Sequence, residues 1–153
     1  MHLIAVGKLG NSPEAALFER YNTRLRPRLA VTELSEERGP PLVAKRKEGT
    51  MLLDALPRAA FVVALDLGGN ELSSEAFAKC LRQWSGLSRT ICFLIGGAEG
   101  LDASVIARAD YLLSFGTMTY PHMLIRVMLA EQLYRANTIL EGHPYHRASR
   151  PLV

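Results

Sequence analysis

The residues with chemical potential crowd into the last third of the chain. Gly96-Gly97-Ala98-Glu99-Gly100 follows one apolar run, Thr90–Ile95, and Phe115-Gly116-Thr117-Met118-Thr119-Tyr120 follows a second, Tyr111–Ser114. Pro121-His122 then opens a long helical pattern, and Pro144-Tyr145-His146-Arg147 comes after it. Glycines just past strand ends let backbone N–H groups come close to a ligand. Sheet-end loops of this kind are where open α/β folds bind ligands. The uncharged run Phe115–Tyr120 suits a flat aromatic ring held between Met118 and apolar side chains, its edge bound by backbone groups. Arg126 lies in the apolar first half of the helix, where a cation requires an anion. Tyr145, His146 and Arg147 set an aromatic ring beside cations, a combination that suits unstacked RNA bases and phosphates.

Each of these features also has a plainer reading. The glycine run is not G-x-G-x-x-G and no Lys-Ser/Thr follows it, so the dinucleotide and P-loop signatures are absent. The run equally suits a tight strand-to-helix turn. Phe115–Tyr120 could be a simple connection, with Pro121 starting the next helix. His122 and Arg126 share a helix face, either as one wall of a site or as a pair satisfying local carbonyls. The tail could be a frayed basic terminus. Glu131 and Arg135 form an ordinary i,i+4 pair. The sequence has no carboxylate pair, Ser-His-Asp set or zinc-ligand spacing, so no metal is expected. Cys80 and Cys92 lack C-x-x-C spacing and read as buried free thiols of a reducing cytoplasm.

The elements that must position these groups follow from periodicity. Leu3–Val6, Val31–Leu34, Phe61–Leu65, Ile91–Ile95 and Tyr111–Ser114 read as strands, the central ones continuously apolar. Helices are expected from Ser12-Pro13 to a stop at Pro27, over Leu42–Leu56, from a Ser74 cap through Trp84, from an Asp102 cap through Ala109, and over Pro121–Leu140. Alternating strands and helices with apolar central strands predict an α/β fold, a mostly parallel sheet with helices on both faces. The 153 residues are 48% apolar and 22% charged, with a formal charge of +3. They read as one domain, 1–153, whose mildly basic balance is weak support for a nucleic-acid partner. No apolar run approaches a membrane span, and Met1–Val6 reads as a first strand and not a signal peptide. The last helix carries apolar residues around most of its circumference, so it must be covered on nearly every side; a second subunit is the simplest cover.

In order along the chain, Phe93–Leu101, Leu113–His122, Arg126-Val127, Glu131–Ala136 and Pro144–Arg147 resemble the RlmH family, bacterial ribosomal RNA large-subunit methyltransferases of the SPOUT superfamily. Leu3–Lys8 and Lys47-Glu48-Gly49 match as well, so the likeness spans essentially the whole chain. The resemblance implies a SPOUT-type (α/β-knot) fold with a C-terminal trefoil knot, a homodimer and a cytoplasmic location. It implies S-adenosylmethionine (S-adenosyl-L-methionine) as cofactor and N3 of a pseudouridine in 23S rRNA as target, on the assembled ribosome. By position, the cofactor contacts it implies are Leu65, Gly96, Phe115, Gly116, Thr117, Met118, Thr119 and Tyr120. Tyr145, His146 and Arg147 match the family's signature on the substrate side. His146 is a candidate to accept the N3 proton, and Arg147 or Arg126 to stabilise developing negative charge. Gly116 stands where related sequences often carry another small residue such as Ser, and Ala148–Val153 extends past the signature. The competing readings are a flavodoxin-like nucleotide-binding enzyme acting on a small molecule and a ribosome-associated binding module without catalysis.

Overall fold

The computed structural model describes residues 1–147; the extension Ala148–Val153, including Arg150, lies outside the described residues. The strands are β1 (His2–Val6), β2 (Ala30–Leu34), β3 (Ala60–Glu71), β4 (Thr90–Ile95) and β5 (Tyr111–Ser114), and the helices are α1 (Pro13–Asn22), α2 (Pro41–Asp54), α3 (Ser74–Ser85), α4 (Ala103–Arg108) and α5 (His122–Glu141). The five strands form one sheet in the order β2-β1-β4-β3-β5, with every pair parallel. Strand side chains alternate between faces. Leu3, Ala5, Val63, Phe93 and Ile95 therefore join one core cluster with residues of α1, α3 and α5. Ile4, Val6, Val62, Ala64 and Leu94 join the other, with Leu52 of α2 and Val105 of α4. Burial on both faces explains why the central strands read as unbroken apolar runs.

Several boundaries differ from the sequence reading. Helix α1 ends at Asn22 and not at Pro27. The Asn22 carboxamide accepts the Leu29 N–H at 2.9 Å and donates to the Leu29 carbonyl at 3.3 Å, which turns the chain toward β2. The cap of α3 is Ser73, whose hydroxyl accepts the Ala76 N–H at 3.1 Å. Strand β3 does not stop at Leu65. It pairs with β5 through Leu65 and resumes pairing at Asn70, with Asp66–Gly69 looped out between. That excursion requires glycine: a Cβ on Gly69 would sit 2.7 Å from the Leu113 carbonyl carbon.

Helix α5 draws much of its cover from its own chain. It packs beside α1 and α3 on one face of the sheet. Leu129, Ala130, Leu133 and Ala136 are buried, and Ile125, Val127, Tyr134, Ile139 and Leu140 lean on the same core. Leu124 remains exposed. Among the described residues no helix is long and apolar enough to cross a membrane.

Candidate active site

At the C-terminal ends of β3, β4 and β5, three loops enclose a cavity of about 310 Å³, near the lower end of small-molecule sites. Leu65, Asp66 and Leu67 come from the β3 excursion, and Gly96, Glu99, Gly100 and Leu101 from the loop after β4. Phe115, Gly116, Met118, Thr119 and Tyr120 come from the loop after β5, and Ile125 and His122 from the start of α5. The structure thus gathers Leu65, Gly96 and five of the six residues Phe115–Tyr120 around one space; Thr117 does not line it.

Each loop has a local reason for its shape. Gly97 and Gly100 form a tight bridge, with the Gly100 N–H donating to the Gly97 carbonyl at 3.1 Å. A Cβ on Gly96 would lie 2.6 Å from the Gly100 carbonyl oxygen. Gly96 is therefore required so that the loop can close on itself, and not to leave space for a ligand. Glu48 of α2 is buried beneath this loop, where it accepts the Glu37 N–H at 3.0 Å. A Cβ on Gly97 would come within 2.8 Å of its carboxylate. In the third loop Gly116 has φ +117°, a conformation that L side chains rarely adopt. The Ser114 hydroxyl holds it there, accepting the Gly116 N–H at 3.2 Å and donating to its carbonyl at 3.0 Å. Open space surrounds the position where its Cβ would be. The site has the makings of a nucleoside pocket: apolar walls at Leu65, Leu101, Phe115 and Ile125, glycine backbone at Gly96, Gly100 and Gly116, and Met118, 69% exposed, on the rim.

Arg126 is not in that space. Its side chain is wholly buried. The guanidinium donates to the carbonyls of Val6 and of Gly7, the latter at 2.9 Å, and pairs with Glu33 at 3.0 Å. Burial pulls its pKa down, while Glu33 and Glu36 push it back up. From there it cannot touch a substrate. It braces the first turns of α5, and so the end of the cofactor-side loop, against the ends of β1 and β2. His122 sits beside it, with Nε2 3.7 Å from Glu36 and Nδ1 buried without a partner.

The tail lies on the other side of the loop after β5. A second cavity of about 500 Å³ between α1, α3 and α5 shares Leu113, Ser114, Phe115 and Gly116 with the first. Glu131 lines it and accepts the Tyr145 hydroxyl at 3.1 Å. Tyr145 packs edge-on against Tyr134 with centroids 4.7 Å apart, and Arg135 stands 5.0 Å from its ring centroid while pairing with Glu131. Burial first, and then the Glu131 charge, push the Tyr145 phenol up to about 12. His146 Nε2 lies 2.7 Å from Glu75, and Arg135 donates to its Nδ1 at 3.4 Å. This pattern assigns the ring proton to Nε2 and the lone pair to Nδ1. The hydrogen bond from His146 is the main reason that the Glu75 carboxyl falls to about 2. Arg147 is exposed.

Sequence reasoning missed Lys45, Asp66 and Leu67 at the first cavity and Glu75 beside the tail. Asp66 had a signal, an acid ahead of Gly68-Gly69 at a strand end; Lys45 and Glu75 had none.

A family model described as "Predicted SPOUT methyltransferase" matches residues 1–146. The chain belongs to the SPOUT methyltransferase family. It is 61% identical over 151 residues to ribosomal RNA large subunit methyltransferase H of Gluconacetobacter diazotrophicus, covering 99% of each chain. It is 50% identical over 151 residues to the protein of the same name from Acidiphilium cryptum, covering 99% of this chain and 96% of that one. Among solved structures, a probable methylase family protein from Haemophilus influenzae superposes with TM-score 0.59 at 9% identity, over 97% of this chain and 71% of that one; this likeness speaks to the SPOUT fold alone.

Proposed function

We propose that this SPOUT methyltransferase transfers a methyl group from S-adenosylmethionine to large-subunit ribosomal RNA, with N3 of a pseudouridine on the assembled ribosome as the target. The observation that carries the reading is the convergence of Leu65, Gly96 and the Phe115–Tyr120 loop on one nucleoside-sized cavity, in a chain 61% identical to a ribosomal RNA large subunit methyltransferase H. The flavodoxin-like alternative has no support in the family match.

The lining fits the cofactor: an apolar slot for a purine, loop backbone at Gly96, Gly100 and Gly116 along its edge, and the charged side chains Lys45, Asp66 and Glu99. When bound, the cofactor supplies an electrophilic sulfonium methyl. The protein's part is alignment and proton handling. The Gly96–Gly100 and Phe115–Tyr120 loops orient the donor. In the pose found here, His146 presents Nδ1 as its basic nitrogen while Glu75 holds Nε2, and it is proposed to take the N3 proton once the tail leaves Arg135. Tyr145 and Arg147 are proposed to hold the base and its phosphates. Arg126 acts as a positioning residue.

Residues 1–153 form one cytoplasmic domain that works as a homodimer, supported by the partly exposed apolar ring of the second cavity, with Leu17 42% exposed. A C-terminal trefoil threading is supported by the path of α5: it follows edge strand β5, yet returns Arg126 to the end of β1. The deciding assay is transfer of labelled methyl to ribosomes and to free rRNA, followed by identification of the product base. Label on a base other than pseudouridine, or none on ribosomes, would overturn the substrate assignment. A monomer by sedimentation at micromolar concentration, with full activity, would overturn the dimer.

A further inference from the structure

The cofactor cavity carries charge of both signs that the fold itself leaves unused. Lys45 of α2, Glu99 of the loop after β4 and Asp66 of the β3 excursion all line it. Among the described residues none of the three has an ion-pair partner within 4 Å, and the one hydrogen bond recorded for their charged groups is Asp66 accepting the Gly68 N–H at 2.8 Å. Lys45 is half-buried and Glu99 is exposed, and both contribute to the cavity's lining. Glu99 also borders the small cavity over Ala44 and Glu48, which places it on the α2 side of the site, as Lys45 is. Asp66 comes from the β3 excursion. A ligand that fills the cavity takes water from both of these opposite charges, which is costly unless the ligand answers each of them.

Resting on the methyltransferase reading, we infer that Lys45 and Glu99 form the seat for the zwitterionic amino-acid end of the cofactor, Lys45 binding its carboxylate and Glu99 its ammonium. Lys45 is then a specificity residue that separates S-adenosylmethionine from nucleosides of the same shape that lack the carboxylate.

The test is calorimetric titration of the full-length protein with three probes: S-adenosylmethionine, its decarboxylated form, which keeps the amine and lacks only the carboxylate, and 5′-methylthioadenosine, which lacks both. The wild type is expected to bind S-adenosylmethionine more tightly than decarboxylated S-adenosylmethionine. Lys45→Met is expected to weaken S-adenosylmethionine by about tenfold or more, the scale of one charge-assisted hydrogen bond, and to leave decarboxylated S-adenosylmethionine unchanged. Glu99→Gln is expected to weaken both amine-bearing probes. Neither substitution should alter 5′-methylthioadenosine, whose unchanged affinity also certifies a folded cavity. If Lys45→Met binds S-adenosylmethionine as the wild type does, or weakens it and the decarboxylated form equally, the assignment is overturned; a rise in KM for ribosomes alone would give Lys45 to the RNA. A wild type that binds no S-adenosylmethionine would overturn the methyltransferase reading itself.

Discussion

Replacing Arg126 with Met separates a brace from a catalytic group. The side chain is wholly buried, and its guanidinium serves the Val6 carbonyl, the Gly7 carbonyl and Glu33 together. Val6 is itself fully buried, so water has poor access to replace the lost donor there. A buried acceptor left unpaired costs about 1–3 kcal/mol, and breaking a buried ion pair from one side costs about 3–5 kcal/mol. Glu33 moderates the upper figure, because its side chain is 29% exposed and still accepts the Leu9 N–H at 2.9 Å. A loss of about 3–4 kcal/mol is therefore expected, a large share of an ordinary domain's stability. The damage should centre where β1, β2 and the start of α5 meet, so cofactor affinity should fall with stability. Urea unfolding at fixed protomer concentration gives the first quantity and calorimetry with S-adenosylmethionine the second. Arg126→Lys keeps the charge but cannot span three acceptors, and should fall between the two. If Arg126→Met unfolds within 1 kcal/mol of wild type and binds cofactor normally, yet transfers no methyl, the brace is wrong and the residue belongs to the chemistry.

Gly116→Ala should reduce cofactor affinity several-fold and lower the melting temperature by several degrees: its Cβ meets nothing within 4 Å, but φ +117° is strained for alanine, at a cost of about 1–3 kcal/mol; unchanged affinity would remove this loop from the site. Alkaline titration at 295 nm should show one phenol ionising near 12, absent in Tyr145→Phe. Because that pKa lies above the unfolded value of about 10, the associated stability is complete below about pH 10 and lost as pH rises to about 12; a full complement of tyrosines titrating near 10 would contradict the buried contact with Glu131. Deleting residues 144–153 should spare cofactor binding, since the loops that line its cavity precede α5, and lower methyl transfer to ribosomes by about two orders of magnitude. Transfer at the full-length rate would return the tail to a structural role.

The sequence alone determined the strand–helix alternation, the parallel sheet and two of the three loops of the cofactor cavity, those after β4 and β5. These signals are local: apolar runs bounded by glycine, and Ser12 and Asp102 as caps. Tertiary structure decided what the polar groups do. Arg126 reads as a cation in need of an anion, but its partners are 93 and 119–120 residues away, so no spacing rule could tell a brace from a catalytic group. The length of β3 depended on Gly69 meeting the backbone of β5, and the end of α1 on Asn22 reaching Leu29. Lys45 carries no signal in the sequence, and only the fold puts it with Glu99 on the lining of the cavity. Periodicity reports which face of an element is buried. Which charge meets which is settled only when elements distant in sequence pack together.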